Sequence, residues 1–377
     1  MLLLRVSSPA TAASDDSCGS WNNVPSGNTS IYTNLLGVAT ISSNDIWAVG
    51  HSILNVHSVD QTLTEHWNGT SWSIIPSPNV PSAYFNYLYG VTAISTNNVW
   101  AVGTAAVNLE MITLIEHWDG TTWSIVPSPN PKTSQNVLTS VTAVSANDIW
   151  AVGYYQGPSN THPLIEHWNG SQWSIDHTLE YLNVALNSVI ALSSDNIWAV
   201  GNDFDRSNYS LIVHWNGSKW SGVPAPKPNS NPSDTLSGIA AVSTTDIWVV
   251  GSYFSDHSKR SNVLIEHWNG TQWSIVPGAP TTSSYVSLLA VGVISATNIW
   301  AVGYSDIPTS NNIYTLTEHW NGTAWSIVAS PNPGDYQDSF NAVAEIPGSN
   351  YIWAVGYSEF QTADQYKPYN PLTAYYC

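Results

Sequence analysis

Apolar and polar positions alternate along this chain in one block that recurs. The first full copy runs Leu36-Gly-Val-Ala-Thr-Ile-Ser42, then a polar Ser42-Ser-Asn-Asp45, then Ile46-Trp-Ala-Val-Gly50. A variable polar stretch follows, then Leu63-Thr-Glu-His-Trp67, Asn68-Gly69 and Trp72-Ser-Ile-Ile-Pro76. The apolar runs are short and rich in β-branched and aromatic residues, which predicts strands. The polar tetrad predicts a tight turn closed by its own side chains. Asn-Gly between two strand-like runs predicts a hairpin, because both residues tolerate positive φ. Each block therefore predicts four antiparallel strands. The second, Ile-Trp-Ala-Val-Gly, lacks the polar alternation of a half-exposed strand and must be buried on both faces.

The block recurs seven times, marked by Trp47, Trp100, Trp150, Trp198, Trp248, Trp300 and Trp353. Repeats about 50 residues long with strand content predict a radial β array. The expected fold is all-β: a seven-bladed β-propeller of four-stranded antiparallel blades, spanning residues 18–377 as one domain. Length alone would suggest two or three domains, but repeats that share neighbours make one.

The pattern also predicts how the array ends. Glu-His-Trp-Asn-Gly or its near copy appears six times, not seven. After the seventh Trp-Ala-Val-Gly the chain ends at Leu372-Thr-Ala-Tyr-Tyr-Cys377, in register with Leu63–Asn68. The absent fourth strand has its counterpart at the other terminus, where Cys18-Gly-Ser-Trp-Asn-Asn-Val-Pro25 matches Gly69–Pro76. The last blade is expected to be closed by the N-terminal strand, removing two exposed edges. Cys18 and Cys377 then fall on adjacent positions of the interrupted hairpin, and a disulfide between them is expected.

Composition narrows the partners. The formal charge is -18, with 9% charged residues and Arg only at positions 5, 206 and 260. Phosphate backbones and anionic lipid surfaces need clustered cations, so nucleic acid and membrane insertion are not expected. Residues 1–14 read as a signal-like or disordered N-terminus with Ala10-Thr-Ala12 as a small-residue cleavage site, so a secreted, extracellular protein is expected. Asn-x-Ser/Thr sequons at Asn28, Asn68, Asn169, Asn208, Asn216, Asn269 and Asn321 are possible glycosylation positions.

Over nearly the whole mature chain, the paired aromatics Trp67 and Trp72 with their equivalents, and Gly50 closing the second strand, resemble bacterial secreted propeller repeats of a kelch-like kind. Kelch repeats usually carry two glycines where this chain has one. Asn68-Gly-Thr-Ser-Trp72 is similar to the Asp-box hairpin of sialidase-like propellers. The resemblance implies a fold; sialidase chemistry needs an arginine cluster, and Arg206 and Arg260 stand on different blades.

Candidate chemistry follows from what repeats and what does not. His66, His117, His167, His214, His267 and His319, five of them preceded by Glu, are spread around the ring and cannot converge. The histidines and the glutamates beside them are expected to tie strands to the turn residues Asp45, Asn98, Asp148, Asn196, Asp246 and Asn298. No metal-ligand spacing stands out, the alternate oxygens of Asp203-Phe-Asp205 lack the rest of a calcium loop, and no catalytic residue or cofactor is assigned. The loops between strands two and three, and between blades, vary and share one face. Variable loops on a rigid scaffold carry function, and Tyr154, Tyr155, Asn202, Tyr253, Tyr304 and Tyr357 are the candidate ligand-binding residues. Aromatic faces with amides suit a glycan or protein surface. The expected function is a secreted non-enzymatic binding module. A structural protein built by strand exchange, monomer giving way to homopolymer, is the second expectation, and a hydrolase or lyase the third.

Overall fold

The computed structural model describes residues 19–27, 30–55, 58–131, 134–179, 183–204, 209–228, 233–255, 260–306, 312–360 and 368–377. Cys18, Asn28 and Asn208 lie outside these residues, as does the 1–14 segment. Twenty-eight strands, and no helix long enough to cross a membrane, occur among the described residues. They fall into seven four-stranded antiparallel sets.

The first set is β2 (Tyr32–Ser42), β3 (Asp45–Ile53), β4 (Gln61–Trp67) and β5 (Trp72–Ile74). The next five sets repeat this order through β25 (Trp325–Ile327). The last contains β26 (Gln337–Glu345), β27 (Ile352–Glu359) and β28 (Tyr369–Tyr376). Its fourth strand is β1 (Trp21–Asn23), which runs antiparallel to β28 with Trp21 opposite Tyr376. Gly19 N–H donates to the Cys377 carbonyl at 2.9 Å, so the residue following Cys18 lies against the chain's last residue.

The first strand of each set begins earlier than its apolar run. In β2, Tyr32 pairs with Ile53 and Thr33 with Ser52, beyond the expected start at Leu36. A bulge falls between them: the register steps from Leu35↔Gly50 to Gly37↔Val49, leaving Leu36 unpaired. The same step recurs in all seven first strands, at Tyr89, Thr139, Asn187, Ser237, Leu289 and Asn341. A bulge bends the strand and re-aims one side chain. It also explains the glycine of Trp-Ala-Val-Gly. A Cβ on Gly50 would stand 1.9 Å from the Asn34 carbonyl oxygen, and its six equivalents meet the same backbone at 1.8 to 2.0 Å.

Tryptophans pack the sets against each other. Trp47 lies against Trp118 and edge-on to Trp123 of the next set, with ring centroids 4.9 and 5.3 Å away. Trp100, Trp150, Trp198 and Trp248 repeat the arrangement. Trp300 meets Tyr376 and Trp21, and Trp353 meets Trp67 and Trp72 of the first set. Aromatic rings bury large area and prefer such tilted and edge-to-face pairs, which fixes the spacing of adjacent sheets.

Candidate functional site: the tyrosine-rich mouth of the channel

The repeated polar residues belong to the scaffold. His66 Nε2 meets Asp45 Oδ1 at 2.8 Å, and the other five histidines meet Asn98, Asp148, Asn196, Asp246 and Asn298 at 2.8 to 2.9 Å. In five sets the same turn oxygen also accepts the Trp indole N–H, as Trp100 Nε1 donates to Asn98 Oδ1 at 2.8 Å. Burial lowers the pKa of His117, His214 and His319, the three paired with asparagine.

The glutamates do not join these ties, contrary to the sequence expectation. Successive strand residues point to opposite faces, so Glu65 and His66 cannot reach one turn. Glu65 instead lies buried, where the Ser26 hydroxyl donates to it at 2.7 Å. Burial raises Glu65 to about 7 and Glu116 and Glu266 to about 8.

The hairpin tips are likewise explained by turn geometry. Asn68 Oδ1 accepts the N–H groups of Thr70 and Ser71 at 2.9 and 3.0 Å, while Gly69 takes φ 93°. The sequon asparagines Asn169, Asn216, Asn269 and Asn321 accept in the same way. Asp119 makes these contacts with a carboxylate, and the Thr121 hydroxyl together with the backbone N–H groups of Thr122 and Thr121 holds its pKa down to about 2. The requirement is an acceptor oxygen, which both residues supply.

The seven bulges converge on an axial channel of about 280 Å³, lined by Leu36, Tyr89, Thr139, Asn187, Leu289 and Asn341 among other first-strand residues. Several bulge side chains tie neighbouring sets together. Asn187 Nδ2 donates to the Leu236 carbonyl and Asn341 Nδ2 to the Leu35 carbonyl, each at 2.8 Å. Thr139 Oγ1 donates to the Leu186 carbonyl at 2.9 Å.

Next to the channel-lining Tyr89, reached through Tyr87 at 6.1 Å, the strand starts and ends bring together residues at positions that vary among the blades. Tyr32 opens β2, His51 lies near the end of β3, and Asp60 immediately precedes β4. Phe85, Tyr87 and Tyr89 lie on β6 (Phe85–Ser95). His51 Nδ1 meets Asp60 Oδ1 at 2.9 Å, and Tyr87 donates its hydroxyl to Asp60 Oδ2 at 3.1 Å. The His51 ring lies 4.1 Å from Tyr87 and 5.7 Å from Tyr32. Tyr32 continues to Tyr369 at 4.4 Å, and Tyr369 to Tyr357 at 4.9 Å. Parallel bridges stitch this side: Tyr32 pairs with Tyr369, and Asp60 with Phe85.

Burial, reinforced by nearby Asp60 or Glu359, raises the pKa of Tyr32, Tyr87 and Tyr357, and lifts Tyr89 and Tyr369 to about 12. These phenols are neutral donors rather than bases. His51 is 7% exposed, wedged between two rings. It orients Asp60 and does not reach out to a substrate. The arrangement offers ring faces, hydroxyl donors and one carboxylate.

The candidate residues chosen from sequence divide around this mouth. Tyr357 belongs to the cluster, its hydroxyl donating to Gln337 Oε1 at 3.3 Å. Tyr154 is half-buried, and burial raises its pKa. Tyr304 pairs with Tyr285 at 5.7 Å. Tyr155 stacks on His162 at 4.8 Å, on the side of its own blade. Tyr253 packs against the core around Leu236 and Ile239. Asn202 is buried and bonds Thr235 and Asn187, both at 2.7 to 2.8 Å. Tyr32, His51, Asp60, Tyr87 and Tyr369 were not singled out from sequence. Their signal was available: each is an aromatic or titratable residue at a position where the other repeats differ. No group of three or more metal-ligating side chains occurs among the described residues.

No known family profile matches the chain, and no curated protein matches it. Solved structures do. The chain is similar to YCF48 bound to D1 peptide, with 14% identity, TM-score 0.57, and coverage of 95% of this chain and 97% of that one. It is similar to the polysaccharide lyase Uly1 at 9% identity and TM-score 0.56, covering 93% and 91%. The fucose-recognising lectin of Aleuria aurantia, a six-bladed β-propeller, matches at 13% identity and TM-score 0.51, covering 80% and 96%. The fold is a β-propeller. At these identities the likeness extends to the fold alone, and the neighbours themselves include both a lectin and a lyase.

Proposed function

We propose that this protein is a secreted, non-enzymatic binding module whose channel mouth recognises a glycan or a protein segment. The observation that carries the reading is the cluster of Tyr32, His51, Asp60, Tyr87, Tyr357 and Tyr369 on the variable-loop face. It occupies positions that vary among the blades, whereas the recurring histidines, turn residues and tryptophans pack or bond within the scaffold. Ring faces beside a carboxylate and neutral hydroxyls suit a sugar, whose C–H face stacks while its hydroxyls both donate and accept. The buried imidazole and protonated phenols argue against acid–base catalysis here.

In this reading the seven blades close into a ring through β1, and a Cys18–Cys377 disulfide locks the seam in an oxidising compartment. The exposed hairpin tips are glycosylation acceptors only in a host that modifies such sequons. Glycan-array and peptide-array binding, read against a Tyr87→Ala and Tyr369→Ala double variant, tests the function. Loss of binding in the variant with unchanged melting temperature supports it. Turnover of a polysaccharide, or binding that ignores both tyrosines, sinks it. Non-reducing electrophoresis separates the assembly alternative, since strand exchange with intermolecular disulfides gives a ladder and the closed ring a monomer.

A further inference from the structure

In three blades the segment leaving the outer strand plugs the edge of its own blade. After β5 the chain reads Ser77-Pro-Asn79; Asn79 Oδ1 accepts the Thr62 N–H at 2.9 Å, and Ser77 donates to the Thr62 hydroxyl at 2.8 Å. Ser128-Pro-Asn130 does the same at Thr113, and Ser330-Pro-Asn332 at Thr315. At the seam, Ser26 donates instead to Glu65 of the first blade.

The fourth blade lacks this plug, as do the third with Thr178-Leu-Glu180 and the fifth with Gly278-Ala-Pro280. In the fourth, the segment reads Ala225-Pro-Lys227, so neither the amide nor the hydroxyl is present. Beside it opens a cleft of about 330 Å³ between the fourth and fifth blades, lined by Tyr209, Ser210, Leu211, Pro224, Lys227 and Asp234 among others. Lys227 lies exposed at the mouth, with Nζ 4.6 Å from the centre of the Tyr209 ring.

One buried carboxylate lines the cleft from the fifth blade. Asp234 is 1% exposed; Ser210 donates its hydroxyl to Oδ2, while Oδ1 is buried with no hydrogen-bond partner. A buried acceptor with no donor costs free energy on the order of 1–3 kcal/mol, more when charged. A donor that enters the cleft recovers that cost.

We propose that the cleft between the fourth and fifth blades binds a primary alkylammonium group, its nitrogen donating to Asp234 Oδ1 and its carbon chain lying against Leu211 and Pro224. An ammonium matches the site better than a neutral hydroxyl because it pairs by charge with the Asp234 carboxylate and donates without needing an acceptor. The site is separate from the tyrosine-rich mouth and holds whether or not the mouth binds a glycan.

The test is an NMR titration of the full-length protein with n-butylammonium chloride at constant ionic strength, with n-butanol as the neutral counterpart. Saturable shifts are expected at Ser210, Lys227 and Asp234 with the amine and none with the alcohol. Acetyl-Gly-Lys-Gly-amide forms a second arm: tighter binding than butylammonium assigns the site to a lysine side chain of a partner, equal binding to a free amine. Two variants report on the mechanism. Asp234→Asn removes the charge, and Ala225→Ser with Lys227→Asn rebuilds the Ser-Pro-Asn plug; each is expected to weaken the amine at least tenfold while circular dichroism and melting stay those of a folded propeller. Equal binding of butanol, absence of saturable shifts at these residues, or undiminished binding in a folded variant overturns the proposal.

Discussion

Trp21 lies edge-on to Trp300, with ring centroids 5.5 Å apart and planes at 86°. The two residues come from opposite ends of the chain, yet their geometry repeats that of Trp47 with Trp123 and Trp353 with Trp72. The N-terminal strand therefore packs as a full member of the last set. Trp21→Ala is expected to destabilise the protein by about 3–5 kcal/mol, the range for a buried tryptophan. Trp72→Ala, its counterpart in an unbroken set, should cost the same within about 1 kcal/mol. Urea denaturation of both variants checks this. A Trp21→Ala cost near zero would mean that β1 does not hold the seam in solution.

Gly50 offers a second test. Its Cβ position lies 1.9 Å from the Asn34 carbonyl oxygen, a backbone atom that no side-chain rotation can move. Gly50→Ala should lower the melting temperature by more than Gly69→Ala, where the obstacle is the Asn44 side chain and the strain is chiefly the φ of 93°. A positive-φ penalty is about 1–2 kcal/mol; forcing the bulge apart should exceed it. Equal losses in the two variants would contradict the role assigned to the bulge.

Buried glutamates make stability depend on pH in a defined direction. Glu65 and Glu318 are raised to about 7, Glu116 and Glu266 to about 8, all chiefly by burial. Their contribution is complete below the unfolded value near 4.5 and is lost as pH rises through 7 to 8. The lowered His117, His214 and His319 act oppositely, with stability lost as pH falls below about 6.5. The melting temperature should therefore decline from pH 6.5 to pH 8.5. Glu266→Gln should raise it at pH 8.5 by an amount on the order of 1 kcal/mol or more and flatten the slope. A wild-type profile flat over this range would refute the burial account.

Much of this architecture was readable because the repeats align with one another. The match of Leu372–Cys377 to Leu63–Asn68, and of Trp21 to Trp72, placed β1 beside β28. The pairing of His66 with Asp45 followed from strand and turn positions. The beginnings of the first strands were less legible. Tyr32-Thr-Asn-Leu35 mixes polar and apolar residues because the alternate positions Thr33 and Leu35 are buried while Tyr32 and Asn34 face the channel mouth. A bulge at Leu36 then breaks the alternation that marks a strand. The site was missed for the same reason: Tyr32 and Tyr87 lie on strand stretches that read as loop. Ala225 and Lys227 were visible departures from Ser-Pro-Asn, but their meaning needed the contacts that Asn79 makes with Thr62.

The central claim is that recurring residues are scaffold and that recognition resides in the non-repeating tyrosine cluster. The most direct measurement is residue-resolved NMR of the full protein titrated with the tightest ligand from the glycan and peptide arrays. The account predicts saturable shifts at Tyr32, His51, Asp60, Tyr87 and Tyr369, with binding weakened at least tenfold by Tyr87→Ala. Shifts centred instead on the recurring His66, Asp45 and Trp67 positions, with Tyr87→Ala binding as wild type, would contradict it.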